Sequence, residues 1–501
     1  MIQQIWRGQM IADAELFFSR RLGYGLAPAE AIGPDIRDWA IRQISEIPPL
    51  DFYGPDGSNI RGHFPDFAEP VPDIGNATRL WGEYANKETD LQNQVGKMPA
   101  GEWEKKINAE VYLPRTDYPS WRECLVRSLT AVNGPSPVFE RFWSFWVNHF
   151  AVNSNAFTKL LYGPHTRAIR ARMTGKFADM LHDAILNPAM LYYLDNFVST
   201  GPHSPTGLAG KETINENLAR ELLELHTMSP AAGYTQDDVI QTAYALSGWS
   251  FYGGERNQRD IPKSTPYGTY FNSHRHEPGT RKILGKTYDK GGKNGSGQAP
   301  ALIADLAARS ETVQFLSRKL ARHFIADNPP DDSVANIAAA WSNSGGDMIA
   351  IHTAVIDEVL RKGPENPKFL NPETWLYQAH RMTGVDVPET PIWSYGDDNS
   401  TYWISAVVEE LGQPYGEPLQ PNGWSDLEAD WISNVLVERR LRYALQMGKK
   451  VKDKAATMSH LTDVANRLAG PDSPLAASMK AGGDSAETLA VFLASPEFLR
   501  T

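Results

Sequence analysis

Along this chain apolar residues return at intervals of three and four, the spacing that lines one face of an α-helix. The clearest stretches are "LVRSLTAV" (125–132), "VFERFWSFWVNHFAV" (138–152), "FADMLHDAIL" (177–186), "NENLARELLELHTM" (215–228) and "TQDDVIQTAYALSGW" (235–249). The pattern continues through 301–326, 348–362, 432–448 and 485–500. Helix boundaries are written in as well. Thr235 followed by Asp238 makes a capping box with the shorter acid, and Pro188 and Pro230 stand where helices must stop. The pattern predicts a mainly α protein, one large helical domain over 1–501 with long loops.

Strand signals are few. Residues 249–289 are rich in Gly, Tyr and Pro, and "RKILGKTYD" (281–289) suits one arm of a hairpin, so at most a small β-hairpin is expected. Residues 46–118 combine Pro, Gly, Asp and Trp with little periodicity and read as a loop-rich insertion decorating the helices. The segments "SYGDDNSTYW" (394–403) and "LGQPYGEPLQPNGWSD" (411–426) read as ordered loops.

One helical stretch departs from the usual two-sided pattern. In "RFWSFWVNHF" (141–150), Phe142, Trp143, Phe145, Trp146, Val147 and Phe150 leave almost no polar side, which predicts burial all round. Arg141, Ser144 and Asn148 make a narrow polar stripe, with His149 set off from it. An unpartnered buried polar group costs roughly 1–3 kcal/mol. The stripe must therefore face other polar groups. Two answers fit: a hydrogen-bond network tying helices together, or a pocket in which Asn148 and His149 hold a substrate or a metal.

A second helix offers a partner. In "NENLARELLELHT", Asn217, Arg220, Glu221, Glu224 and Thr227 share one arc, while Leu218, Leu222, Leu223 and Leu225 cover the other. A solvated polar face explains that arc without any function. His226 projects from the apolar arc, roughly 160° from Glu224 on a straight helix, so those two do not share a metal easily. Glu221 and Glu224, three apart, can. "HRHEPG" (274–279) adds a His-x-His pair with an acid, a feasible ligand or proton-transfer set. "RKLARHF" crowds Arg318, Lys319, Arg322 and His323 onto one helix, most simply a solvated basic face. Asp195 and Asn196, closing "YYLDN", suit either a helix cap or a ligand pair.

Composition narrows the classes. The 501 residues are 41% hydrophobic and 22% charged, as in a soluble globular protein. Lys+Arg 49 against Asp+Glu 60 gives a net charge of −11, which argues against a general nucleic-acid binder. The single cysteine, Cys124, excludes an internal disulfide and reads as a small buried hydrophobe. No stretch reaches the roughly 18 apolar residues of a membrane span. No secretory signal is visible, so a cytoplasmic location is the default expectation. GxGxxG after a strand, GxxxxGK[ST], HExxH and GxSxG are absent, which removes the usual support for nucleotide-dependent and serine-hydrolase chemistry.

Taken in order, "RRLGYGLAPAE", "FWVNHFAV", "AMLYYLDN", "NENLARELLELHTM" with "GYTQDDVIQTAYALSGWSF", "HRHEPGTRKILG", "FLSRKLARHFI", "LGQPYGEPLQPNGWSD" and "FLASPEFLR" span nearly the whole chain. In this order they resemble the bacterial family called domain of unknown function 1800. The resemblance implies a mainly helical fold and one family domain, and supplies no function. Many relatives carry export signals, which this sequence does not show, and residues 46–118 are longer than the family leads one to expect. The segments that carry the resemblance contain the polar residues singled out above, which makes a shared buried polar centre the natural expectation.

Three functions compete on these residues. In the first, a metal-dependent enzyme, His149, Glu221, Glu224 and His276 ligate a mononuclear iron, manganese or zinc, and Asn148, His149, Arg220 and Glu221 do hydrolytic or oxidative chemistry. In the second, a metal-free lyase or hydrolase acts on polysaccharide, with Asn and His beside Tyr and Arg neutralising a carboxylate and moving a proton. In the third, the chain is a non-enzymatic scaffold for a partner protein. The first two predict a small-molecule or polysaccharide partner. The first also predicts that Asn148 and His149 face Glu221 across one interior pocket.

Overall fold

The computed structural model describes residues 13–64, 72–154, 159–210, 213–252, 268–289, 293–388 and 404–501. The loop expected at 394–403 lies outside the described residues. In chain order the helices begin with α1 (Ala14–Leu22), α2 (Ile36–Ile44), α3 (Ile74–Gln92), α4 (Ala100–Ile107), α5 (Tyr118–Asn133), α6 (Pro137–His149) and α7 (Lys159–Arg170). Then come α8 (Phe177–Ile185), α9 (Pro188–Tyr193), α10 (Pro205–Leu208), α11 (Asn217–Glu224), α12 (Gln236–Leu246), α13 (Gln298–Ala308), α14 (Ser310–Phe324), α15 (Asp331–Ser344) and α16 (Met348–Lys362). The rest are α17 (Pro372–Thr383), α18 (Ile404–Glu410), α19 (Asn434–Lys449), α20 (Lys454–Ala469), α21 (Pro474–Ala481), α22 (Ser485–Leu493) and α23 (Pro496–Leu499). The protein is mainly α.

The apolar stretch 141–150 lies buried among several other helices. Pro137 opens α6 at the one helical position where a missing N–H costs nothing. Every residue of α6 is buried except Asn148, which is half-buried. Phe142 lies against Phe324 of α14 with ring centres 4.4 Å apart, and Trp146 packs on Phe177 of α8 and Trp341 of α15. The indole Nε1 of Trp146 donates to His352 Nε2 of α16 at 2.9 Å. One apolar cluster runs from Leu16 to Leu499, so α1 and α23 share it.

Two buried arginines of α1 fasten that helix to distant chain. Arg20 donates to the Gln378 side chain and to the carbonyls of Glu497 and Phe498. Arg21 donates to the carbonyls of Ile325 and Asn366, each at 2.8 Å, and to Thr501. A guanidinium presents five N–H groups in a fixed fork, so it can gather carbonyls from several segments at once.

Several expectations need revising. Residues 46–118 are not loop-rich throughout: α3, α4 and a π-helical stretch Asn108–Asp117 occupy most of the second half. Asp73 caps α3 by accepting from the Asn76 N–H, and Trp81 packs against Tyr192 and Phe251. Leu91, Ile107 and Val111 form a small apolar cluster of their own. The run 301–326 is two helices, because Arg309 adopts an extended conformation (φ −69°, ψ 142°) between α13 and α14. Among the described residues the β structure comprises two antiparallel pairs instead of one hairpin. β1 (Trp249–Phe251) pairs with β2 (Thr269–Phe271), and β3 (Arg281–Ile283) with β4 (Lys286–Tyr288). "RKILGKTYD" supplies both arms of the second pair, turning at Leu284 and Gly285. The capping box at Thr235 and Asp238 is present, and Asp238 also accepts from the Leu284 N–H at 2.6 Å.

Candidate active site

The polar stripe of α6 faces the start of α17 and the loop that precedes α19. Ser144 Oγ donates to Glu373 Oε2 at 2.7 Å, and Arg127 of α5 donates to Ser144 Oγ at 2.8 Å. The Arg127 guanidinium also pairs with Glu373 Oε1 at 3.0 Å. Tyr377, one turn further along α17, donates its hydroxyl to the same oxygen at 3.3 Å. Glu373 belongs in the first turn of a helix, where unpaired N–H groups favour an acid, and its own N–H goes to Gln413 Oε1. Burial opposes the charge on Arg127, but the groups around it, the Glu373 carboxylate foremost, together hold the guanidinium pKa above its ordinary value. Arg141, at the other end of the stripe, donates to Thr374 Oγ1.

Asn148 completes the stripe by seating the loop. Its Nδ2 donates to the Trp424 carbonyl at 2.9 Å, and its Oδ1 accepts the Trp424 N–H at 2.7 Å. The side-chain amide thus pairs with one backbone residue as a strand neighbour would. Two glycines allow so close an approach. Gly423 has φ +77°, and an added Cβ would stand 2.2 Å from the Asn148 carbonyl oxygen. Gly416 has φ +67°, and its Cβ would meet Ser154 Oγ at 2.8 Å. Both conformations lie in the left-handed region that glycine enters without steric cost. The segment read only as an ordered loop is therefore one wall of the site.

That wall delivers Asp426 to His323. Asp426 Oδ1 lies 2.6 Å from His323 Nδ1, and both side chains are more than nine-tenths buried. Burial pushes the Asp426 carboxyl upward, but the electrostatic attraction and hydrogen bond of His323, then the ammonium groups of Lys368 and Lys319, together outweigh it and hold it at about 2. Burial lowers the His323 pKa despite Asp426, so the ring is neutral near pH 7. A neutral ring beside an ionised carboxylate must carry its proton on Nδ1, which leaves a lone pair on Nε2. That Nε2 is buried and has no hydrogen-bond partner among the described residues.

His323 lines a cleft with Arg127, Ser144, Glu373, Tyr415 and Trp424. The cleft is narrow, about 40 Å³, room for roughly three waters. It admits a small polar group such as a carboxylate, hydroxyl or carbonyl, not a whole sugar ring. The Tyr415 hydroxyl is buried without a partner among the described residues, and burial holds its pKa well above the ordinary value. Tyr415 thus stays protonated. The Arg127 guanidinium lies over its ring, 5.5 Å from the centroid.

His149 lies off the stripe and turns elsewhere. Its Nδ1 is 3.2 Å from Lys319 Nζ, and its Nε2 is 3.3 Å from the His226 carbonyl oxygen. Burial, then the charge of Lys319, holds the His149 pKa well below its usual value. The ammonium can only donate, so Nδ1 accepts from Lys319 and Nε2–H points to His226. His226 follows the end of α11, fully buried, with neither ring nitrogen bonded and its pKa pushed down to about 3 by burial and Lys319.

His149 meets the end of α11 at the His226 carbonyl, but no side-chain hydrogen bond joins Arg220, Glu221, Glu224 or His276 to Asn148 or His149 among the described residues. Arg220 reaches Glu216 and Gln236, each at 3.1 Å, while Glu224 accepts from the Tyr234 hydroxyl at 2.9 Å. Glu221 is half-buried, and burial, then Glu224, raises its pKa against the opposing charge of Arg220. These residues form a mostly local network on the α11 face. His276 Nδ1 is 2.8 Å from the Ser247 carbonyl oxygen, in a separate neighbourhood where Glu277 contacts His203. Among the described residues no group of three or more His, Cys, Asp or Glu side chains is placed to hold a metal ion. His149, Glu221, Glu224 and His276 do not converge, and both ring nitrogens of His149 already have partners. Asn196 ties strand β1 to α12 through the carbonyls of Leu246 and Trp249, and Asp195 is exposed.

Sequence reasoning passed over Glu373, Tyr415 and Asp426, and read His323 as part of a solvated face. A usable signal existed. His323 falls on the stripe of Leu316, Leu320 and Phe324, all buried, whereas Arg318 points outward to Asp331.

Fold and site together define a mainly helical protein with a buried histidine–aspartate pair at a narrow polar cleft. The chain belongs to the family described as "Protein of unknown function (DUF1800)", whose profile matches residues 18–500. No curated protein and no solved structure matches it. No helix among the described residues is long and apolar enough to cross a membrane.

Proposed function

We propose that this protein is a metal-independent enzyme working by acid–base catalysis in the cleft, with His323 as the base. The observation that carries the reading is the unpartnered Nε2 of His323, buried at the cleft wall while Asp426 holds Nδ1 at 2.6 Å. Leaving a buried polar atom without a partner is costly, and sites that keep one commonly reserve it for a ligand. In this reading a substrate inserts a small polar group beside Arg127 and Glu373, whose opposite charges offset each other and favour a neutral carbonyl or hydroxyl there. His323 Nε2 removes a proton from the adjacent carbon or from water. Asp426 stabilises the imidazolium that forms, and the protonated Tyr415 hydroxyl returns a proton to the leaving oxygen.

Small esters, and saccharides that present a carbonyl or hydroxyl substituent, are the first substrates to try. Such a substituent is small enough for the cleft while the rest of the molecule stays outside it. The test is a turnover screen of these compounds with the wild type, His323→Gln and Asp426→Asn, each with and without a chelator. Turnover that survives the chelator and is lost in His323→Gln at unchanged melting temperature supports the reading. Turnover abolished by the chelator, or retained in His323→Gln, overturns it.

A further inference from the structure

The pattern 315–325 holds a second reactive group that the acid–base reading leaves unused. Lys319 lies one turn before His323 on α14, keeps part of its surface open to solvent, and reaches inward to His149. Its Nζ makes one hydrogen bond, to His149 Nδ1 at 3.2 Å, and no carboxylate lies within ion-pair distance of it among the described residues. That is unusual. Buried or half-buried lysines generally find an acid, as Lys368 finds Asp327 at 2.6 Å in the same region. The groups packed around Lys319 are His149 and His226 from facing elements, with Arg322 and Asp426 acting on it electrostatically.

We propose that Lys319 is a carbonyl-reactive amine, forming an imine with a small aldehyde or α-oxo acid, and that His149 shuttles the protons. An ammonium hydrogen-bonded only to a neutral imidazole is poorly compensated for its burial: Asp426 favours the charge from beyond ion-pair distance, and the neighbouring guanidinium of Arg322 opposes it. Enclosure accordingly pulls the Lys319 pKa down to about 8. A lysine relieved of its proton by desolvation and a cationic neighbour is the activated form used in Schiff-base chemistry. The geometry adds a base within reach, because His149 Nδ1 presents its lone pair to Nζ.

The step balances without any oxidant or reductant. The Nζ lone pair bonds to the carbonyl carbon as the C=O π pair moves to oxygen. One proton from nitrogen passes through His149 Nδ1 to that oxygen, giving the carbinolamine. The hydroxyl then leaves as water with the second nitrogen proton, and the C=N bond forms. His149 ends as it began, neutral and bonded to the His226 carbonyl. This inference is independent of His323, since imine formation needs no turnover in the cleft.

The experiment is reductive trapping on the full chain with glyoxylate and cyanoborohydride at pH 7, followed by peptide mass mapping. Lys282, an exposed lysine of β3, is the internal reference. The expected result is an adduct on Lys319 at least about tenfold above Lys282, in line with an amine pKa near 8 instead of about 10.4. In His149→Gln the Lys319 adduct falls towards the Lys282 level, while Lys319→Arg loses it and keeps its melting temperature. Labelling of Lys319 no faster than Lys282 in the wild type overturns the proposal, and does so without reference to any variant. Enhanced labelling that His149→Gln leaves intact overturns the role given to His149.

Discussion

A Cβ placed on Gly423 would stand 2.6 Å from Asn148 Oδ1, the atom that accepts the Trp424 N–H. Helix α6 and the loop wall are therefore in contact at a spot with no room for a methyl group. Gly423→Ala is expected to cost about 2–4 kcal/mol, from left-handed backbone strain and overpacking together. Chemical denaturation measures the loss. Limited proteolysis should show earlier cutting within 413–426, and an unchanged denaturation midpoint would refute the fit.

Asp426→Asn removes the acceptor that fixes the proton on His323 Nδ1. The amide can donate to Nδ1 and drive the ring into the other tautomer, leaving Nε2 protonated and useless as a base. The expected loss in turnover is about 10²–10⁴-fold, with little change in KM. The ring tautomer itself is read by the nitrogen chemical shifts of His323, which should exchange their pattern in the variant. Identical shifts would remove the role assigned to Asp426.

Glu373→Gln leaves the Arg127 guanidinium buried beside a neutral group. Breaking one side of a buried pair costs about 3–5 kcal/mol, mostly through the charge left behind. Replacing both, as Arg127→Met with Glu373→Gln, should recover a substantial part of that loss. A double-mutant cycle by urea denaturation measures the coupling, and additive costs would show that the two do not act as a pair.

Acid should weaken the fold through its buried histidines. Burial holds His226 and His352 at about 3, and His165 and His380 at about 4, all below the usual histidine value near 6.5. The unfolded chain takes these protons first, so their stabilisation is full above pH about 6.5 and is lost as pH falls towards their folded values. Asp426, held at about 2, adds a further loss below pH about 4. Urea midpoints measured from pH 8 to 4.5 should fall steadily below about 6.5. His352→Gln, which keeps an acceptor for Trp146, should lower the slope by roughly 1.4 kcal/mol per pH unit in the middle of that range. A flat profile would refute the assignment of these histidines as neutral.

Much of this was legible, and the illegible part has a common cause. The stripe Arg141, Ser144, Asn148 could be read as inward-facing, because six apolar neighbours left it no other direction. What it faced could not be read. Glu373 and Trp424 lie more than two hundred residues downstream, and helical periodicity carries no record of which helices meet. The α11 face attracted attention because its acids and Arg220 share an arc, yet Tyr234, Gln236 and Glu216 satisfy most of them locally. His323 was hidden by its company: Arg318, Lys319 and Arg322 made the segment look solvated, although the apolar stripe on the same helix already turned His323 inward. Helix α3 was missed because Gly82 and a run of polar residues dilute its spacing, though Ile74, Ala77, Trp81 and Tyr84 keep it.

The grip of Arg20 and Arg21 on remote carbonyls also sets an order in time. At roughly 5–20 residues per second of synthesis, α1 leaves the ribosome tens of seconds before residues 497–501 exist to receive its guanidinium groups. Until then Arg20 can donate only to Gln378, and Arg21 to carbonyls such as those of Ile325 and Asn366, while the N–H groups meant for residues 497–501 stay unpaired. A fragment ending before α23 would keep those buried N–H groups without their acceptors. Expression of such fragments should therefore yield aggregates or chaperone-bound chains, with soluble protein returning only when the last helix is supplied.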